Sequence, residues 1–165
     1  MSNTNKAVIT LISILTACLL GILASRLTVA MFSPRPENVG QKDGRLTSCP
    51  NSPNCVASIA EATAKPEQQV APLSYQDDME TAHTNLLAIL EGMPQTIIIT
   101  VSPTYIHAET RSWLFGFVDD TEFSFDPNEN LIHVRAASRL GYYDGDVNRV
   151  RIETIRQAFS AVPQP

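Results

Sequence analysis

The chain has 165 residues, which is room for one globular domain beside a targeting segment. Its formal net charge is -5 and only 18% of its residues are charged, which argues against nucleic-acid binding through overall charge. Aromatic and β-branched residues are plentiful enough to exclude global disorder. The composition therefore predicts a single folded domain.

Residues 1–32 are predicted to be a membrane anchor or signal segment. Residues 7–25 carry no charge, and a helix of that length spans a hydrocarbon core of about 30 Å. Lys6 and Arg26 bracket the run. Since the run is apolar on every face, a transmembrane helix is favoured over the buried helix of a soluble core. The membrane is therefore the first predicted partner of the chain.

Two processed forms compete with an uncleaved anchor. Residues 15–18 (LTAC) have the shape of a lipobox, in which cleavage precedes a lipid-modified cysteine, here Cys18. A secretory signal cut near Ala24 or Ala30 is the other form. The apolar run continues beyond Cys18, whereas a lipidated cysteine is usually followed by a polar tether. The uncleaved anchor is therefore favoured, with the lipoprotein as an alternative.

Residues 33–45 are predicted to be a solvated linker, because they are rich in proline, glycine and charge and show no apolar period. Cys49 and Cys55 follow the linker. Two prolines and two asparagines lie between them, and the turns that these residues favour bring the sulfurs close. A disulfide is favoured over free thiols. Zinc is disfavoured because two thiolates without a nearby histidine are too few ligands, so no metal or other cofactor is predicted.

Two opposing signals bear on the side of the membrane that the domain occupies. More basic residues follow the apolar run than precede it, which by the positive-inside rule favours a cytoplasmic domain. A disulfide between Cys49 and Cys55 requires an oxidising compartment instead. The residues alone do not decide between the two sides.

Residues 46–162 are predicted to form the globular domain. An amphipathic helix is predicted over 77–92, with Asp77 in its N-terminal cap, and a second from about Val147, with Asp146 as its N-cap. Four β-rich segments lie between the helices, at 96–101, 105–111, 115–126 and 131–140. This order predicts an α+β fold: a four-stranded antiparallel meander sheet with two helices packed on one face, preceded by the N-terminal transmembrane helix.

Alternation along the strands places one set of ionisable side chains on a common sheet face. The set consists of His107, Glu109, Asp120, Glu122 and Arg135. Short turns would set Glu122 opposite Arg135 and, with a turn at 112–115, would set His107 opposite Asp120. The simplest interpretation is cross-strand ion pairs on a solvated face. The alternatives are a ligand-binding face and acid–base catalysis, with Asp120 or Glu122 as the base and His107 as its partner.

Asp119 departs from this alternation, because it shares the parity of the core-facing phenylalanines. Burying it unpaired is costly, so either a bulge turns it outward or a C-terminal arginine pairs with it. Arg149 and Arg151 fall in the first turns of the second helix, where the helix dipole disfavours cations. An anion is therefore expected nearby, either an internal carboxylate such as Asp144 or an external phosphate, carboxylate or lipid headgroup.

Three motifs span most of the globular part. They are the cysteine loop at 46–56 (LTSCPNSPNCV), the acidic strand at 117–123 (FVDDTEF) and the arginine-rich stretch at 134–159 (VRAASRLGYYDGDVNRVRIETIRQAF). Together they resemble the family known as domain of unknown function 1499, although Ala136 stands where the family pattern commonly has a serine. The resemblance carries no established activity. It implies one unit that is often membrane-attached or exported, which favours an extracytoplasmic domain in a periplasm or lumen.

These features predict a membrane-anchored, non-catalytic accessory domain that binds a protein partner or an anionic ligand. The alternative is a hydrolase that uses a carboxylate and a histidine on the polar sheet face, so whether the chain is an enzyme stays open. Nucleic acid is not expected as a partner. The residues predicted to bind the ligand are His107, Asp119, Asp120, Glu122, Arg135, Arg139, Asp144, Asn148, Arg149 and Arg151.

Overall fold

A computed structural model of the chain describes residues 3–59, 65–76 and 78–162. The helices are α1 (Asn3–Phe32), α2 (Met79–Glu91) and α3 (Val147–Ser160), with a short 3-10 helix at Pro66–Gln68. The strands are β1 (Gln41–Lys42), β2 (Arg45–Leu46), β3 (Cys55–Ala57), β4 (Leu73–Ser74), β5 (Thr96–Ser102), β6 (Tyr105–Arg111), β7 (Val118–Asp126) and β8 (Leu131–Ser138). The α+β class is therefore confirmed.

The first helix, α1, is 30 residues long, and Val29 is its buried residue. By length and composition it is able to cross a membrane, and a signal sequence near an N-terminus meets the same description. Its threonine hydroxyls at Thr10, Thr16 and Thr28 donate to the carbonyls four residues earlier. Those bonds satisfy the polar side chains within the helix itself, as an apolar surrounding requires.

The main sheet has six strands, in the order β3-β8-β7-β6-β5 with β4 also paired to β8. The predicted meander of four long strands is present as β5 to β8, but the prediction of a four-stranded sheet was too small. The two additional strands are short: β3 pairs Val56 with Ala136, and β4 pairs Leu73 with Ile132. Segments of two or three residues are too short to show an alternating pattern, which is why the sequence did not reveal them.

Helices α2 and α3 pack on one face of this sheet, as predicted. Leu86 and Leu90 of α2 and Ile152 and Ile155 of α3 share one buried cluster with sheet residues such as Phe123. Since each of these side chains is about 1% exposed or less, the core lies between the helices and the sheet. The opposite face of the sheet is left for the ionisable side chains.

The caps of the two helices differ from the predicted ones. The N-cap of α2 is Asp78, whose side chain accepts from the Thr81 amide, and Asp77 lies outside the described residues. Asp146 holds the N-cap position of α3 as predicted, but its φ is 63° and its side chain makes no capping bond. The carboxylate that meets the first turn of α3 belongs to Asp144, which accepts from the Asn148 amide at 3.0 Å.

Cys49 and Cys55 form a disulfide with an S–S distance of 2.05 Å, as the sequence predicted. In the chain-entropy account, closing a loop this short stabilises a fold by about 2 kcal/mol. The side-chain amide of Gln68 donates through Nε2 to the carbonyls of Pro50 and Ser52 inside the loop. The cysteine loop is therefore held both by its own bridge and by the 3-10 helix.

Residues 33–46, named here the covering segment, do not form a solvated linker. They lie on the polar face of the sheet and include the β1–β2 hairpin. The backbone amide of Gly40 donates to Glu122 Oε1 at 2.6 Å, and the side-chain amide of Gln41 donates through Nε2 to Ser124 Oγ at 2.7 Å. A composition rich in proline, glycine and charge fits this role because the segment contacts the sheet through backbone, side-chain amide and guanidinium groups rather than through an apolar stripe.

Candidate functional site

The register of the central strands brings the predicted polar side chains together. Glu122 lies opposite Arg135, as predicted. His107 lies opposite Glu122 and not opposite Asp120, because the loop between β6 and β7 runs from 112 to 117 and is longer than the turn expected. The shift is two residues, so every side chain stays on its predicted face. His107 Nε2 still reaches Asp120 Oδ1 diagonally, at 2.8 Å.

A buried ion network forms on this face. It consists of His107, Glu109, Asp120, Glu122, Arg135 and Arg139. The Arg139 guanidinium bridges two carboxylates: Nη2 lies 2.5 Å from Glu109 Oε1 and 2.7 Å from Asp120 Oδ1. Arg135 Nη1 donates to Glu122 Oε2 at 2.6 Å. The network therefore holds two arginine–carboxylate units side by side on a rigid sheet.

The sequence expectation of a solvated face was wrong. Glu109 is 3% exposed, Asp120 is 1% exposed and Glu122 is fully buried. The covering segment accounts for this, because its backbone and side chains lie over the strands: Arg35 donates to Glu109, and the Ser33 carbonyl accepts from Arg139. Charges buried in this way must be paired and hydrogen-bonded to be tolerated.

Each carboxylate of the network is satisfied by several donors. Glu122 accepts from the Tyr105 hydroxyl at 2.8 Å as well as from Gly40 and Arg135. Among the described residues, Arg135 Nε is the buried side-chain atom of the network that lacks a partner. Burial raises the pKa of the Tyr105 hydroxyl strongly, and the neighbouring Glu122 carboxylate adds to that rise, so Tyr105 stays a neutral donor.

Asp120 loses its proton at a pH well below neutral and is therefore a carboxylate at neutral pH. Burial opposes its ionisation, but the hydrogen bonds from Arg139 and His107 outweigh burial and lower the pKa of Asp120 from 3.8 to about 2. Burial likewise opposes ionisation of Glu109, yet hydrogen bonds from Arg35 and Arg139 lower its pKa. A carboxylate with so low a pKa is a weak general base at neutral pH. The geometry therefore favours a structural role for the network over proton transfer.

A second group of predicted residues surrounds the start of α3. Arg151 Nη2 donates to Asp119 Oδ2 at 2.7 Å. Of the two alternatives considered for Asp119, an outward bulge or a C-terminal arginine as its partner, the structure therefore has the arginine. Arg151 Nη1 also donates to Asn148 Oδ1 at 2.6 Å. Arg149 lies apart and donates to the backbone carbonyls of Gln69 and Glu67. Its partners are therefore carbonyl dipoles and not one of the carboxylates considered from the sequence.

The sequence of this domain corresponds to a known protein family. The chain matches the model described as "Protein of unknown function (DUF1499)" over residues 45–159, which is more than half of its length. The chain belongs to the DUF1499 family. Comparison with the curated proteins found no match.

The matched part of this DUF1499 protein contains the ion network and the residue group at the start of α3, but it leaves out most of the covering segment. Residues 45–159 include the cysteine loop, the strands of the ion network and α3 up to Phe159. Arg35 and Gly40, which contact the network, precede the match. Neither residue was predicted as part of the site, and only the basic character of Arg35 hinted at a role. Tyr105 shares the parity of His107 along β6, but its bond to Glu122 depends on the observed register.

Within the described part of the DUF1499 domain, two clusters have the ligand atoms of a metal site. His107, Glu109 and Asp120 place such atoms within 4.8 Å of one another, but the Arg139 guanidinium already lies between the two carboxylates. Asp126, Glu129 and His133 form the other cluster. They line a polar cavity of about 500 Å³ at the β7–β8 turn. Half-exposed acidic groups at a turn are common without a metal, so this cavity is a surface feature.

Acid is expected to destabilise the DUF1499 domain. The folded state lowers the pKa of Asp120 to about 2, so stability from this group is complete above the ordinary value of 3.8 and is lost as the pH falls towards 2. The loss from Asp120 is about 2 kcal/mol, since one pKa unit corresponds to about 1.4 kcal/mol. Glu109 acts in the same direction.

Thermal unfolding between pH 6 and pH 2 measures this dependence, with Asp120→Asn as the comparison. The variant is less stable at neutral pH, but its midpoint should fall less steeply in acid than that of the wild type. Parallel curves for the two proteins would contradict the assignment of Asp120 as an acid-sensitive group.

Proposed function

We propose that this DUF1499 protein is a membrane-anchored, non-catalytic accessory domain that binds a protein partner along the free edge of its sheet. The observation that carries the proposal is the edge strand β5, Thr96–Ser102. No described strand pairs with its outer side, because the sheet path ends at β5. Its outward N–H and C=O groups therefore form a template for an extended segment.

The side chains of β5 fit such a segment. The strand contains no charged residue and no proline, which are the residues that usually block an edge. Ile97 is 54% exposed and Val101 is 48% exposed, so both offer apolar contact beside the backbone. The register shift between Ile98 and Thr100 is the one protective feature of the described strand. Pairing is thus available on both sides of that bulge.

A protein partner is favoured over an anionic ligand because the arginines are already engaged. Arg135, Arg139 and Arg151 each pair with a buried carboxylate, and Arg149 donates to backbone carbonyls. An external anion at these residues would have to displace a charge-assisted hydrogen bond from inside the protein. The burial of the network and the low pKa of Asp120 also weigh against the hydrolase alternative.

The anchor and the compartment belong to the same proposal. Helix α1 has the length and the apolar surface of a membrane span. The Cys49–Cys55 bridge supports an oxidising compartment, and therefore a domain on the periplasmic or lumenal side. In that arrangement α1 holds the domain at the membrane surface, where β5 meets partners that are themselves membrane-bound or exported.

Site-specific photo-crosslinking tests the edge. A photoreactive amino acid at Ile97, in the full chain in native membranes, should give one discrete adduct. Adding Val101→Lys to the same chain should lower the adduct yield by about tenfold, because a charge on the edge opposes pairing by about 1.4 kcal/mol. The matched control is a photoreactive residue at Val150, which is 61% exposed on α3.

The same experiment separates the possible occupants of the edge. An adduct of this chain with an unlike protein supports the proposal, whereas an adduct of twice the chain mass indicates edge-to-edge pairing of two copies and contradicts it. Equal yields at Ile97 and Val150 would also contradict it. Turnover of an ester or phosphate substrate that Glu122→Gln abolishes would favour the hydrolase instead.

A further inference from the structure

The loop between β6 and β7, residues 112–117, displays apolar side chains to the outside. Trp113 is 76% exposed, Phe115 is 43%, Phe117 is 42% and Leu114 is 36%. Single exposed apolar residues are ordinary on soluble proteins, but a contiguous group that includes three aromatic rings marks a contact surface. The loop therefore needs a partner that its own domain does not supply.

The backbone of this loop is closed by hydrogen bonds, so the exposure is built into the fold. The Ser112 amide donates to the Phe117 carbonyl at 2.8 Å, and the Gly116 amide donates to the Ser112 carbonyl at 3.0 Å. The Phe117 amide donates to Ser112 Oγ at 3.0 Å. Gly116 adopts a φ of 76°, which glycine tolerates best. The rings of Phe115 and Phe117 contact each other, with centroids 6.1 Å apart, and the apolar side chains of the loop stay exposed on the outside of the domain.

Helix α1 contacts this loop at the end of its uncharged stretch. Arg26 Nη1 donates to the carbonyls of Trp113 and Leu114, at 2.6 and 3.4 Å. Arg26 is the first charged residue after Lys6. At a rise of 1.5 Å per residue, the intervening helix covers about 28 Å, close to the thickness of a hydrocarbon core. The loop is therefore level with the place where a spanning α1 leaves the membrane.

The apolar surface continues from the helix to the loop. Leu23 is 48% exposed and Leu27 is 67% exposed, and both line a hollow with Arg26 and Gly116. Beside it, Arg26 and Arg111 line a second shallow hollow with Trp113, of about 370 Å³. Aromatic rings next to arginines are the composition of membrane interfaces, where rings enter the headgroup layer and guanidinium groups meet lipid phosphates.

We propose that loop 112–117 is a second membrane contact, which inserts Trp113, Phe115 and Leu114 into the same leaflet that receives the C-terminal part of α1. This inference rests on the membrane anchoring proposed above, since the level of the loop is defined by α1. Two contacts, one by the helix and one by the loop, fix the orientation of the domain on the bilayer. A bilayer fits better than a protein here because the exposed leucines of α1 belong to the same surface.

The loop contact also determines where β5 lies relative to the membrane surface. Ile97 lines the same shallow hollow as Arg26 and Trp113. The edge strand therefore begins at the level of the membrane surface. A partner segment that pairs with β5 would run along it directly above the headgroups.

Trp113 is the single tryptophan of the chain, so its fluorescence reports on the loop alone. The full chain is reconstituted into vesicles of phosphatidylcholine and phosphatidylglycerol whose acyl chains carry bromine close to the headgroup. We expect the brominated lipid to quench most of the Trp113 emission and the emission to lie at shorter wavelength than that of the urea-unfolded chain. Iodide in the aqueous phase should quench it weakly.

The matched control moves the reporter to the far end of the same strand. Trp113→Phe combined with Glu129→Trp places the tryptophan in the β7–β8 turn, beyond a strand of nine residues and thus about 26 Å away. Glu129 is exposed, so the change leaves the core intact. Iodide, and not the brominated lipid, should quench this variant.

Flotation of the vesicles distinguishes failure of membrane anchoring by α1 from failure of loop insertion. If the chain floats and Trp113 is quenched by iodide but not by brominated lipid, the anchor holds and loop insertion is overturned. If Trp113 is shielded from both quenchers, a protein surface covers the loop, and insertion is again overturned. If the chain does not float, membrane anchoring itself fails, and the loop inference fails with it.

Discussion

Replacing Arg139 by methionine is expected to lower the free energy of unfolding by about 3–5 kcal/mol. Arg139 bridges Glu109 and Asp120, whose side chains are 4% and 2% exposed. Without the guanidinium, two buried carboxylates lie close together and lose a shared cation. Urea unfolding of the full chain in detergent micelles, followed by near-ultraviolet circular dichroism, measures the loss.

The matched control is Arg111→Met, because Arg111 contacts the same Glu109 carboxylate from outside. That contact is 3.3 Å long and the Arg111 side chain is 43% exposed, so its removal should cost less than about 1 kcal/mol. Equal losses for the two variants would show that burial does not set the strength of the network. Adding Asp120→Asn to Arg139→Met should recover part of the loss, since it removes one uncompensated charge.

The ion network also connects the sheet to the chain that follows α1. Arg35 donates to Glu109 Oε1 at 2.6 Å, and the carbonyl of the buried Ser33 accepts from Arg139. Both residues lie within three positions of the last residue of α1, Phe32. The buried charges therefore fix where the helix leaves the domain. Such a connection is consistent with a domain that needs one defined orientation at the membrane.

The long elements of the fold were predictable because each shows a clear period or a run of strand-forming residues. Strands β6 to β8 alternate, β5 is a run of β-branched residues, and α2 and α3 repeat apolar residues at helical spacing. The strands β3 and β4 were missed because they have three and two residues. Their position depends on β8, to which both pair, and no local pattern in a sequence specifies such a long-range edge.

The composition of the candidate site was predicted better than its surroundings. Alternation placed five ionisable residues on one face, and parity alone indicated that Asp119 needed an internal partner. The burial of that face was not predictable, since it depends on contacts by the Gly40 backbone and by Arg35. A glycine amide is the same in every sequence context, so nothing marks it as a carboxylate ligand. The register of His107 likewise depended on the length of one loop.

Replacing Asn148 by leucine is expected to destabilise the domain by about 2–5 kcal/mol, because it leaves several buried polar groups without partners. Asn148 is fully buried. Its Nδ2 donates to the Asn54 carbonyl and to Ser138 Oγ, both at 3.0 Å, and its Oδ1 accepts from Arg151. The side chain thus joins the cysteine loop, the end of β8 and the start of α3. Urea unfolding of the full chain in micelles measures the effect.

Asn128→Leu is the matched control, because Asn128 is an exposed asparagine in the β7–β8 turn. A surface change of this kind should alter stability by less than about 0.5 kcal/mol. Asn148→Asp refines the test: it keeps the shape and the acceptor for Arg151 but cannot donate to the Asn54 carbonyl. If this variant is as stable as the wild type, the donated bonds are not what joins the three segments. If it is destabilised as leucine is, the single amide explains why the cysteine loop, β8 and α3 behave as one unit.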